Sequence, residues 1–121
     1  VEVKGVGAFP EERAARVLWA GIRITRELRA LHERVASALV ALGFARENRD
    51  FHPHVTLARL RDARTLREYV EMFRRQSFGS FPLSELVLYR SHTAVPYPRY
   101  EVLARFPLGG SFSIPLPAEN C

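Results

Sequence analysis

Residues Phe51-His52-Pro53-His54-Val55-Thr56-Leu57-Ala58-Arg59 read as a β-strand approached through a proline. Pro53 has no amide proton to give a sheet ladder, so it suits the first step of a strand and not its interior. In a strand, residues two apart share a face. His54, Thr56, Ala58 and Leu60 therefore fall on one face of a strand over residues 54–60, and Val55, Leu57 and Arg59 on the other. An imidazole able to move a proton is set beside a hydroxyl able to hold an oxyanion.

Upstream, Thr25 is placed to cap a helix whose apolar positions Leu28, Leu31, Val35, Ala38, Leu39 and Leu42 follow helical spacing, with Gly43 as the stop. Before it, residues 1–6 and 16–24 read as two antiparallel strands. The first ends at Gly7 and Pro10, and a polar loop over 11–15 joins them. Downstream, Thr65-Leu66-Arg67-Glu68 has the form of a capping box, followed by the apolar stripe Leu66, Tyr69, Val70 and Phe73. Residues 85–90 and 100–106 read as strands, with a proline-containing loop over 92–98 between them. The order ββα-βα-ββ predicts an α+β fold, antiparallel sheets with helices packed outside. Residues 1–108 read as one domain and 109–121, rich in Gly, Ser and Pro, as a flexible tail.

Composition narrows the partners. The net charge is +5 over 121 residues, and all but one of the Lys and Arg residues are arginine, the exception being Lys4. Guanidinium forks suit phosphates and carboxylates, although a compositional bias toward arginine gives the same count. A nucleotide or RNA partner fits the charge. No run approaches the ~18 apolar residues of a membrane helix. The single cysteine, Cys121, permits no internal disulfide, which fits a reducing, cytoplasmic setting. There is no glycine-rich phosphate loop, no C-x-x-C and no G-x-S-x-G, which argues against nucleoside triphosphate chemistry.

Among the candidate residues, His54 suits general acid or base work near neutral pH, and Thr56 suits donation to a phosphate oxygen. The plainer alternative is a hydrogen-bonded strand histidine beside a β-branched neighbour. Arg59 would clamp a phosphate, but a regular strand sends it to the face opposite His54 unless a bulge turns it back. His52 and His54 form an H-x-H pair. The further ligands at hand (Asp50, Asp62 and His92) have no supporting spacing, so no metal is expected. His32 reads as an edge or core residue of the helix. Phe9 and Tyr97, each beside a proline, are the aromatics placed to stack on a base.

Three stretches together resemble the RNA 2′,3′-cyclic phosphodiesterases, also called 2′-5′ RNA ligases, of the two-histidine phosphoesterase superfamily. They are Gly5–Pro10 leading into Arg16–Gly21, then Phe51–Arg59, then Leu86–Ser91 followed by Arg99–Leu103. The resemblance implies a two-lobed fold whose cleft is lined by two H-x-T-x motifs, of which His54 and Thr56 match the second. It implies that this chain corresponds to the C-terminal two-thirds of a member, incomplete at its N-terminus and without the first motif. It further implies hydrolysis of 2′,3′-cyclic phosphate RNA ends to 2′-phosphomonoesters without metal or other cofactor. His54 would be the general base and Thr56 a phosphate ligand, and the missing acid would come from an absent N-terminal segment or from self-association. A non-catalytic module that binds nucleotides or RNA ends is the alternative.

Overall fold

The computed structural model describes residues 1–93 and 96–109. Most of the expected tail, residues 110–121, lies outside the described residues. The elements are β1 (Glu2–Phe9), a short 3₁₀ turn (Glu12–Ala14), β2 (Ala15–Ile22), α1 (Arg26–Ala41), β3 (His54–Arg64), α2 (Arg67–Phe73), β4 (Ser77–Ser80), β5 (Glu85–His92) and β6 (Arg99–Pro107). The fold is α+β. The chain forms two compact units, Val1–Phe81 and the residues from Pro82 onward. The first holds an antiparallel sheet of order β3-β2-β1-β4, and the second holds the antiparallel pair β5-β6. Among the described residues, no helix is long and apolar enough to cross a membrane.

α1 forms where its signals place it. Thr25 Oγ1 accepts from the Leu28 amide at 3.1 Å, and Gly43 supplies the positive φ of 100° that closes the helix. Leu28, Leu31 and Val35 are half-buried, whereas Leu39 and Leu42 are exposed, so only the first half of the apolar stripe finds cover. α2 starts differently from its sequence signal. The expected capping box is absent, because Leu66 is the N-cap and makes no side-chain cap. β3 runs on to Arg64, and the Leu66 amide is donated instead to the Glu12 carbonyl at 2.8 Å. β4 lacks the alternating apolar pattern that would reveal a strand; it exists because β1 offers an edge, pairing Glu2 with Ser80 and Val3 with Gly79.

β1 also departs from its expected end at Gly7, continuing to Phe9 with Gly7 inside the strand. Gly7 lies opposite Trp19, and a Cβ there would come within 2.1 Å of the indole ring. Glycine is required at this position so that the indole can lie across the neighbouring strand. The fully buried apolar residues of the described chain are few and small: Ala15, Ala20 and Val70. Val70 anchors α2, and α2 is further tied to the 3₁₀ turn by Arg74, whose Nη2 donates to Glu12 at 2.8 Å and Glu71 at 2.9 Å.

Two stability outcomes are expected. Gly7→Ala drives a methyl into the Trp19 ring and should cost ~1–3 kcal/mol, read as a lowered urea midpoint at unchanged slope. Arg74 holds the Glu71 carboxyl below its ordinary value of 4.5, first by hydrogen bonding and then by charge. A depressed acid stabilises the fold above 4.5 and loses that contribution as pH falls through its folded value. The difference in Tm between the wild type and Arg74→Ala should therefore be present at pH 7 and shrink below about pH 4.5. Both groups are exposed, so the difference at pH 7 should be small.

Candidate functional site

β3 is an edge strand, and its pairing with β2 fixes which side chains meet. His54 faces Gly21, Thr56 faces Trp19, Ala58 faces Leu18 and Arg59 faces Val17. Directly opposed residues lie on the same face of a sheet. Gly21, Trp19 and Val17 alternate along β2 and so share one face, which carries His54 and Thr56 with them. Between Thr56 and Ala58 the chain takes two steps while β2 takes one, which is a β-bulge. The bulge reverses the alternation. Arg59 accordingly stands on the face of His54 and Thr56, not on the opposite face to which a regular strand would send it.

The orientation of His54 is fixed by the residue before the proline. Its Nδ1 lies 2.7 Å from the His52 carbonyl oxygen. A carbonyl can only accept, so Nδ1 carries the proton and donates. In the neutral ring this leaves Nε2 with a free lone pair. Pro53 contributes by exposing its own carbonyl, which accepts from the Ile22 amide at 3.1 Å and extends the ladder past the strand end. The turn that presents the His52 carbonyl is thus pinned to β2.

Phe9 comes to the same place from β1. Its ring meets His54 edge-on with centroids 5.2 Å apart and meets His52 at 5.2 Å. Trp19 completes the group, 5.4 Å from Phe9, 4.4 Å from His52 and 6.3 Å from His54. Trp19 was not recognisable as a site residue in the sequence. It reads as core there, and only the register opposite Thr56 and Gly7 brings it beside the histidines. His52 is held among these rings. His32 of α1 takes no part in this group and stacks instead on Phe51 at 4.0 Å. Among the described residues, no three His, Cys, Asp or Glu side chains converge as a metal site.

Tyr97 belongs to the second unit, between β5 and β6, and is 74% accessible. His92 lies at the end of β5, with Nε2 3.0 Å from a Glu101 carboxyl oxygen; that hydrogen bond leads the lowering of the Glu101 pKa.

This arrangement meets the requirements for moving one proton next to a bound anion. It has an oriented imidazole with a free nitrogen, a hydroxyl on the same face and a guanidinium one step further on. Long-range ¹H–¹⁵N spectra of the protein with neutral imidazoles should show His54 as the Nδ1–H tautomer, with Nε2 resonating as an unprotonated nitrogen. A dominant Nε2–H form would contradict the geometry.

Comparison with known proteins places this arrangement in context. Residues 1–94 match the 2′-5′ RNA ligase superfamily. The chain is 37% identical over 107 residues to the RNA 2′,3′-cyclic phosphodiesterase of Aeropyrum pernix, covering 85% of this chain and 61% of that protein. It is 36% identical over 114 residues to the RNA 2′,3′-cyclic phosphodiesterase of Geobacillus stearothermophilus, covering 88% of this chain and 34% of that protein. Its structure is similar to the crystal structure of TT0787 of Thermus thermophilus, with a TM-score of 0.72 and 28% identity, covering 92% of this chain and 61% of that one. The chain therefore spans less than two thirds of the length of each of these relatives.

Proposed function

The chain belongs to the 2′-5′ RNA ligase superfamily, and from that premise we propose that it carries one half of the catalytic apparatus of an RNA 2′,3′-cyclic phosphodiesterase. The observation that carries the reading is the hydrogen bond from His54 Nδ1 to the His52 carbonyl, with Thr56 two residues on along the same face. His54 Nε2 takes a proton from a water molecule, and the water oxygen bonds to phosphorus. The bond from phosphorus to the 3′ oxygen breaks, leaving a 2′-phosphomonoester. Thr56 donates its hydroxyl to a non-bridging oxygen, and Arg59 neutralises the charge that builds on the phosphate. A positioned base is worth ~10²–10⁴-fold, and loss of one donor to the developing charge costs about 10²–10³-fold.

The departing 3′ alkoxide needs a proton. This sequence holds a single H-x-T-x pattern, so the acid comes from a segment outside this chain or from a second copy. The exposed side chains of Leu39, Leu42, Phe44 and Leu57 in the first unit support such an addition. Phe9 and Trp19 supply an aromatic wall beside His54 suited to the terminal nucleotide.

The test is hydrolysis of a 2′,3′-cyclic-phosphate oligonucleotide in excess chelator. It is run with this chain alone and with a protein extended by an H-x-T-x-bearing segment. Whichever form turns over should lose at least about 10²-fold in kcat with His54→Ala, and a similar factor with Thr56→Ala. Turnover that survives His54→Ala would refute the assignment of the base. Binding of the cyclic end with no turnover in either form would replace the enzyme with an RNA-end binding module.

A further inference from the structure

β3 continues past Thr56 in a way that the chemistry at His54 does not require. His54, Thr56, Arg59 and Arg64 face Gly21, Trp19, Val17 and Ala15 respectively. Those four partners are alternate residues of β2, so their opposites occupy one face in steps of ~7 Å. An unbulged strand would put Ala58 and Leu60 at the third and fourth positions. Two irregularities put arginines there instead. The first is the bulge before Ala58. The second lies between Arg59 and Arg64, where β3 takes five steps while β2 takes two. Arg16 pins this second bulge, its Nη1 donating to the Arg61 carbonyl at 3.2 Å.

Arg59, Arg61 and Arg64 are exposed, and among the described residues none has a carboxylate partner. Five other arginines pair with an acid among the described residues, and what distinguishes these three is their succession along one strand. Three unpaired forks on one strand, continuous with a proposed phosphate site, are the chemistry of a backbone track. The step of ~7 Å set by alternate strand positions also suits the repeat of an extended sugar–phosphate chain.

We propose that Arg61 and Arg64 hold the phosphates that follow along the RNA strand whose terminal phosphate sits at His54, Thr56 and Arg59. This rests on the reading of that site given above. The body of the RNA then runs along β3 toward its C-terminal end, and contacts of this kind read charge and not base sequence.

The other basic surface of the first unit is the groove along α1 lined by Arg26, Arg29, Arg46 and Arg49. It is neutralised in part, and Arg26 and Arg29 have no carboxylate partner among the described residues. Arg46 pairs with Glu33, Arg49 pairs with Glu47 at 2.8 Å, and Asp50 also lines it. It serves as the internal control.

The experiment measures binding of the 121-residue chain to two probes, a 2′-phosphorylated mononucleotide and a fluorescent ten-nucleotide RNA ending in a 2′-phosphate. Arg64→Ala and Arg61→Ala should each weaken the decamer about three- to tenfold and lower its salt slope by ~0.7. Mononucleotide affinity should be unchanged, and decamers of different sequence should suffer equally. Arg29→Ala should leave both probes unaffected. Decamer affinity and salt slope that survive both β3 substitutions would overturn the track. So would selective loss of the decamer with Arg29→Ala, which would route the RNA over α1 instead. If the unsubstituted chain binds neither probe, the phosphate site itself fails and the track fails with it; mononucleotide binding without a decamer effect sinks the track alone.

Discussion

In an antiparallel ladder each strand must keep step with its neighbour, and β3 has more residues than the β2 segment it faces. The eleven residues from His54 to Arg64 are matched to Ala15–Gly21. The surplus is absorbed as two bulges, and each bulge resets which face the following side chains occupy. The place of the arginines beside His54 and Thr56 depends on that accommodation. Without the first bulge, Arg59 would sit on the wrong side of the sheet from His54. Without the second, Arg61 would face Ala15 and Arg64 would lie beyond the end of the ladder. Being an edge strand lets β3 bear this, because only one neighbour has to be kept in register.

The aromatic wall depends on a constraint of the opposite kind, the removal of atoms. Trp19 spans β1 only because Gly7 has no side chain. The indole then meets His52 from one side while Phe9 meets it from another, and His52 in turn offers its carbonyl to His54. A glycine on one strand thereby supports the orientation of a histidine on another through two rings and a main-chain oxygen. This packing has a polar cost, because the buried Trp19 Nε1–H has no hydrogen-bond partner among the described residues.

Charge is distributed with a similar division of labour. Arg74 joins α2 to the 3₁₀ turn through two glutamates, and Arg105 bonds Glu85 across the β5–β6 pair. These arginines serve the fold. Those on β3 have no carboxylate partner among the described residues, and they begin where the oriented histidine and threonine leave off.

The sequence by itself determined the α+β class, the extent of α1 between Thr25 and Gly43, the strand at His54 and the pairing of His54 with Thr56. These are local facts: capping chemistry, helical spacing and the two-residue period of a strand are written in neighbouring positions. It also carried, in three separated stretches, the resemblance that family membership bears out. The tertiary structure alone decided the rest. The start of α2 went against a capping-box pattern: Leu66 is the N-cap without a side-chain cap, and its amide is bonded to the distant Glu12 carbonyl. The strand at Ser77–Ser80 arose from an open edge of β1. The face of Arg59 and the place of Trp19 follow from register, which is a relation between strands far apart in the chain. A single strand's sequence records its own alternation, but not where a partner will force it to slip.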